Sequence, residues 1–317
     1  MPKPLQRLLQ LMMLVALPIL LASDLGSTAT RAADGPRVAL TFDDLPAHGP
    51  IPAGSSRVAI ASSIIDTLHK YHAPSVYGFV NAKDLEQHPD DAEVLKRWRD
   101  GGFPLGNHAY SHMDLHANTA EAFEQDVLAN EATLTKFMPG EDWHWLRYPY
   151  LREGDTPEKY RAIRAFLAEH TYRVAQVTLS FDDYAYNEPY ARCLDKQDTK
   201  SIAWLQESYL ARAAESLTRG QEASKALFQR DIPHVMLLHI GGFETVMLPK
   251  LLDLLKQRDF TLITLPEASK DPAYATEPAL PSNFNGTFFG QLQRAKQMPA
   301  TPSAFPGIFE KLGAICK

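Results

Sequence analysis

The chain has no surplus of basic charge: 32 lysines and arginines stand against 38 aspartates and glutamates, a formal net charge of −6. A mildly acidic protein has no electrostatic reason to seek nucleic acid or anionic lipid. Long apolar runs are missing too. The longest, Leu8–Ala22, has 15 residues, short of the ~20 that a membrane-spanning helix needs. No cysteine stands directly after that run, which argues against a lipid-anchored amino terminus, and no Gly-x-Gly-x-x-Gly follows the first β-rich run, which weakens a dinucleotide-binding reading. No internal repeat is present. Cysteine is nearly absent: Cys193 and Cys316 allow one disulfide tying the carboxyl terminus to the body. Two buried free thiols fit the sequence equally well, since spacing says nothing of Cα separation.

What is present begins with a processing signal. Lys3 and Arg7 precede the apolar run, and small residues follow through Ala29 and Ala32. This is the layout of a secretory signal peptide over residues 1–32, of bacterial type, with cleavage after Ala29 or Ala32. The expected location is periplasmic or secreted, with an uncleaved amino-terminal anchor as the alternative and no stable membrane span after cleavage. Removing residues 1–32 takes away Lys3, Arg7, Arg31 and Asp24, so the net charge moves from −6 to −8. An exported chain meets an oxidising compartment, where a Cys193–Cys316 bond would persist.

From Arg37 onward, short β-rich runs alternate with amphipathic stretches. Strands are predicted at 37–42, 75–80, 104–107, 144–148, 172–178, 234–239 and 260–264. Helices are predicted near 56–71, 90–100, 119–137, 157–169, 199–229 and 244–258. Such alternation implies parallel strands joined by helical crossovers. The fold class is α/β, and the architecture is a distorted (β/α) barrel, seven-stranded, with a proline-rich C-terminal extension. A catalytic barrel is expected over 33–268. An extension over 269–317, rich in proline from Pro272 to Pro306, is expected to pack on it.

Two aspartates, Asp43 and Asp44, close the first β-rich run, Val38-Ala-Leu-Thr-Phe42. Adjacent carboxylates repel, which suggests a nearby cation, and side chains alternating across a strand let each acid take a different task. His108 and His112 are four apart, a spacing that puts both imidazoles on one face of a helical turn. His116 repeats the interval. One carboxylate and two histidines suit Zn²⁺ with an open position, and suit non-haem iron equally.

Three further stretches accompany these: Arg147-Tyr-Pro-Tyr150, Ser180-Phe-Asp-Asp-Tyr184 and Leu237-Leu-His239. In this order the five resemble the polysaccharide deacetylases of carbohydrate esterase family 4 from about Arg37 to Leu265. The family's motifs are Thr-Phe-Asp-Asp, His-[Ser/Thr]-x-x-His, Arg-x-Pro-Tyr, Asp-x-x-Asp-Trp and Leu-x-His. The first, third and fifth match fully. Ala109 departs from the second, while Ser180 and Tyr184 depart from the fourth, where Asp183 is the matching acid and Asp182 the alternative.

The resemblance implies that Asp44, His108 and His112 hold a divalent metal, Zn²⁺ being the most fitting. Asp43 would be the general base, steadied by Arg147. The backbone N–H of Tyr150 would face the oxyanion, and His239, oriented by Asp183, would protonate the departing amine. The implied activity is hydrolysis of N-acetyl groups on an acetylated amino-sugar glycan, giving acetate and a free amine. Rival readings are an O-acetyl esterase, a carbohydrate-binding pseudo-enzyme without turnover, and an iron oxygenase, which gives Asp43 and His239 no role. The glycan and the oligomeric state are not readable from the sequence.

Overall fold

A computed structural model describes residues 35–278, 286–299 and 303–317. The expected signal peptide over 1–32 lies outside the described residues. Residues 35–317 make one compact unit. Seven parallel strands are present: β1 (Arg37–Leu45), β2 (Tyr77–Val80), β3 (Leu105–Asn107), β4 (Trp145–Leu146), β5 (Arg173–Val174), β6 (His234–His239) and β7 (Thr261–Ile263). Each falls where the sequence pattern places a strand, although β4 and β5 shrink to two residues each.

The helices are α1 (Arg57–Lys70), α2 (Asp84–Gln87), α3 (Ala92–Asp100), α4 (Ala120–Phe137), α5 (Pro157–Glu169), α6 (Asn187–Asp195), α7 (Thr199–Phe228), α8 (Glu244–Gln257), α9 (Leu265–Ala268), α10 (Phe288–Ala295) and α11 (Ile308–Ala314). Local chemistry sets their starts. Ser56, Thr119, Thr156 and Asp198 each accept a hydrogen bond from a backbone N–H in the first turn of α1, α4, α5 and α7, satisfying donors that the helix itself leaves unpaired. No described helix is long and apolar enough to cross a membrane.

The strand order is β5-β4-β3-β2-β1-β6, so each crossover from β1 to β5 lands on the next position. After β5 the chain runs on to β6, where Leu179 bridges Met236. Thr178 and Leu179 donate backbone hydrogen bonds to Val235 O, which carries the curl round towards β6. This is the distorted (β/α) barrel expected from the sequence. On β1, Val38–Asp43 pair with β6, Thr41–Leu45 with β2, and Arg37–Ala39 with β7. A strand has two edges, so β2 and β7 share one of them, at opposite ends.

Side-chain alternation on β1 then positions the chemistry. Val38, Leu40 and Phe42 belong to the large core under the helices, whereas Ala39 joins Phe79, Trp145 and Val235 in a second cluster. Thr41 and Asp43 continue the Ala39 face, and both are buried. Asp43 is thus delivered to the carboxyl-terminal mouth of the curled sheet, where active sites of such folds gather.

The carboxyl-terminal segment is fastened at two places. Phe288 N–H donates to Val177 O, and Phe288, Phe289 and Leu292 of α10 form a cluster with Ile232. Cys193 of α6 and Cys316 beyond α11 form a disulfide, with Cα atoms 5.2 Å apart. The pairing left open by the sequence is therefore made.

Candidate active site

Asp43 and Asp44 are splayed by the backbone. Asp44 adopts a left-handed φ of 64°, and the β1–β2 register slips between Phe42 and Leu45. Asp43 stays in the strand direction, paired in register with His239 across β1 and β6, while Asp44 swings to the loop side.

His108 and His112 do meet Asp44, but not on a helical turn. The segment after β3 is a loop in which Ala109 and His112 have φ values of 58° and 54°, conformations that a right-handed helix excludes. Buried asparagines impose that path. Asn107 Oδ1 accepts from Ala109 N–H at 2.9 Å, and Asn81 Nδ2 donates to the carbonyls of His108 and Ala109 at 2.6 and 2.8 Å. Asn130 of α4 donates to Asn107 Oδ1 at 2.9 Å and to Val80 O at 2.7 Å. Ala109, the departure from the family's Ser/Thr, is fully buried, so a small side chain fits there.

His108 Nε2 lies 3.3 Å from Asp44 Oδ1, and His112 Nε2 lies 3.4 Å from the same oxygen. That oxygen is buried and accepts no hydrogen bond. One ligand atom from each of the three residues lies within 4.8 Å of the others. His108 Nδ1 donates to Arg147 O at 2.8 Å, which leaves the Nε2 lone pair free to coordinate. Burial, reinforced by His108, lowers the His112 pKa to about 4, keeping the ring neutral as a metal ligand must be. Burial opposes ionisation of Asp44, but the imidazoles around it, His108 foremost, hold it well below the usual carboxylate range. The donor set and the orphaned oxygen fit a divalent cation. His116 is not part of this group.

Arg147 sits beneath Asp43, 1% exposed. Its Nη1 donates to both Asp43 oxygens at 3.0 and 3.1 Å, its Nη2 to Thr41 Oγ1 at 3.0 Å, and its Nε to Ala175 O at 2.7 Å. Burial pulls the guanidinium pKa down while Asp43 opposes the shift. On the other side, Asp183 accepts from His239 Nδ1 at 2.9 Å and from His239 N–H at 2.6 Å. Asp182 instead pairs with Arg212 at 2.5 Å. Asp183 is therefore the acid that reaches the histidine. Burial disfavours the His239 imidazolium, yet Asp183, with Asp44 and Asp43, raises its pKa to about 9. Tyr150, at φ 58°, lies with its ring 4.5 Å from that of His112.

All eight residues singled out in the sequence converge on this mouth. Three that carry weight were missed. His48 approaches Asp44 Oδ2 at 3.8 Å and stands 5.2 Å, ring to ring, from His239; burial lowers its pKa. Its only sequence signal is its place four residues after Asp44. Asn107 and Asn187 read as ordinary polar residues, because Asn130, which donates to Asn107, and Phe243, whose N–H donates to Asn187, are distant in sequence.

A family model described as polysaccharide deacetylase matches residues 30–174. A chitin deacetylase from Arthroderma benhamiae is 26% identical over 237 residues, covering 74% of this chain and 52% of that protein, so the alignment spans about half of its length. Among solved structures, the chitin deacetylase of Colletotrichum lindemuthianum is 22% identical, covers 74% of this chain and 88% of that chain, and has a TM-score of 0.51. A mutant of a CE4 family pseudoenzyme from Bacillus anthracis, with restored enzymatic activity, is 15% identical with a TM-score of 0.51, covering 74% of this chain and 68% of that one. These last two likenesses show the fold.

Proposed function

We propose that this chain, which matches the polysaccharide deacetylase family model over residues 30–174, is an exported, metal-dependent hydrolase that removes N-acetyl groups from an acetylated amino-sugar glycan. The observation that carries this reading is the division of labour around Asp44. A carboxylate backed by a guanidinium lies on one strand, and an imidazole backed by a carboxylate lies at the paired position of the next.

Asp44, His108 and His112 would hold the cation, Zn²⁺ being the best match to two imidazoles and a carboxylate. When bound, the cation supplies Lewis acidity, lowering the pKa of water and polarising an acetamide carbonyl. Asp43 takes the proton from the attacking water, and Arg147 keeps its two oxygens aimed. The oxygen of the tetrahedral carbon faces the backbone N–H of Tyr150, a preorganised donor worth ~3 kcal/mol. His239, held protonated by Asp183, gives its proton to the amine as the C–N bond breaks. Water is consumed, and acetate and a free amino sugar are released.

Acetate release from N-acetylated and O-acetylated glycans, with and without chelator and added Zn²⁺, tests the reading. The wild type should release acetate from the N-acetylated substrate only when metal is present. Asp43→Asn and His239→Ala should each lose about 10²- to 10⁴-fold, the usual share of acid–base catalysis. Full activity in Asp43→Asn would falsify the proton-transfer scheme. Preference for the O-acetylated substrate would make the protein an esterase, and glycan binding with no acetate from any substrate would make it a pseudo-enzyme.

A further inference from the structure

We propose that the carboxyl-terminal extension belongs to the candidate site: Gln291 of α10, acting through Glu153, positions the turn that aims the backbone N–H of Tyr150. The inference rests on the deacetylase reading for what that N–H does. The turn needs holding. Tyr150 and Leu151 both lie in the left-handed region, at φ 58° and 52°, and residues other than glycine stay there only where their surroundings over-determine the backbone.

Within the turn, Leu151 N–H donates to Tyr148 O and Arg152 N–H to Pro149 O, both at 3.1 Å, and the Arg152 side chain pairs with Asp114. Glu153 comes next and is buried. Its carboxylate collects donors from three separate segments. Arg164 Nη2 of α5 donates to Oε2 at 2.6 Å. Gln176 Nε2, two residues past β5, donates to Oε1 at 3.0 Å, and Gln291 Nε2 donates to the same oxygen at 2.8 Å. Gly154 follows at φ 119°, and a Cβ there would lie 2.9 Å from Tyr160 N, so the chain leaves the turn pressed against the start of α5.

The space left among Arg147, Tyr148, Glu153, Gln176 and Gln291 is about 10 Å³, room for one water at most. The cluster is therefore a joint between chain segments and not a ligand site. Glu153 reaches the chemistry only through the turn it holds, which makes it a positioning residue.

The contact from α10 is part of a wider fastening. Ala175 O accepts from Arg147 Nε at 2.7 Å, Gln176 reaches Glu153, and Val177 O accepts from Phe288 N–H at 2.7 Å. Three consecutive residues thus tie α10 both to the guanidinium behind Asp43 and to the turn carrying Tyr150. β5 stands at the end of the strand order. Just beyond it, Phe288 N–H supplies the kind of backbone hydrogen bond that a neighbouring strand would give.

The test pairs steady-state acetate release from N-acetylglucosamine oligomers, measured on the full chain with Zn²⁺, with amide hydrogen exchange. Gln291→Leu should lower kcat about tenfold, a part of the roughly 10²- to 10³-fold that a whole oxyanion donor supplies. KM should stay within about twofold, because the N–H meets the oxygen only as charge develops on it. Glu153→Gln should cost a similar factor. Combining it with Gln291→Glu sets a donor against an acceptor again and should recover most of the loss. Wild-type kcat in Gln291→Leu, or an equal loss in Gln293→Leu on the same helix, overturns the proposal. Hydrogen exchange needs no turnover: the Leu151 and Arg152 amides should exchange roughly tenfold faster in Gln291→Leu, as loss of one hydrogen bond to a carboxylate would allow. Equal rates overturn the positioning role. If wild type releases no acetate from any oligomer, the deacetylase reading fails, and the exchange rates still decide whether α10 holds the turn.

Discussion

The two sides of the candidate site are built as electrostatic opposites. On the β4 side a buried guanidinium, Arg147, holds the carboxylate of Asp43. On the β6 side a buried carboxylate, Asp183, holds the imidazole of His239. Between them Asp44 faces the imidazoles of His48, His108 and His112. On the proposed chemistry, the contrast would let one mouth keep a proton acceptor and a proton donor side by side at one pH. Each functional group is paired with the partner that stabilises the form it must start from, and the pairs are kept apart by placing them on different strands.

The comparison can be broken first at Arg147. Arg147→Met removes the partner of a carboxylate that is 2% exposed, and stranding a buried charge costs about 3–5 kcal/mol. Chemical denaturation should show that loss, and Asp43→Leu added to Arg147→Met should recover part of it. Equal stability in the single and double variants would mean that Asp43 is solvated in solution. Next comes Asp183→Asn. His239 is raised to about 9, so its proton is present across neutral pH and activity should fall only as pH rises through about 9. Without the Asp183 carboxylate the strongest support for the raised value is gone, and the alkaline limb should move to lower pH. An unmoved limb would take His239 out of the acid role.

Much of this arrangement was legible because it is local. Thr41-Phe-Asp-Asp44 ends a strand that its apolar alternation announces, and Arg147 and His239 follow strands that β-rich runs mark. What was not legible depends on contacts between distant segments. The helical reading of His108–His112 failed because Asn81, Asn107 and Asn130 bend the loop through left-handed residues, and nothing in the spacing reveals them. The short helices α2, α6, α9, α10 and α11 lack the several turns of periodicity that announce a helix. Cys193 and Cys316 lie 123 residues apart, so only the packing of α11 on the barrel shows that they meet. His48 escaped notice because a histidine in a proline-flanked turn looks like any surface residue.

A third test sharpens the middle of the comparison by removing a ligand rather than a partner. Wild-type protein at a Zn²⁺ concentration 100-fold above its Kd should gain about 2.7 kcal/mol over chelated protein. His112→Ala should show little of this gain at the same concentration. Thermal shift measures it with no substrate present, and an equal gain in the variant would exclude His112 as a ligand.

The smallest expected effect lies behind the acid side. Glu244 is 2% exposed, its Oε1 has no hydrogen-bond partner, and Tyr209 donates to its Oε2 at 2.7 Å. Burial, with Asp183 nearby, pushes its pKa up to about 8. The folded state therefore binds this proton more tightly than the unfolded chain does. That contribution to stability is complete below the ordinary carboxyl pKa of 4.5 and is lost as pH rises through about 8. Glu244→Gln mimics the protonated form, so it should match wild type near pH 4 and exceed it at pH 9 by about 1–2 kcal/mol, or about 2–4 °C in Tm. A variant less stable than wild type at pH 9 would mean that Glu244 is ionised and paired. The acid side would then resemble the Asp43–Arg147 side in holding a second buried ion pair, and the contrast between the two halves of the mouth would collapse.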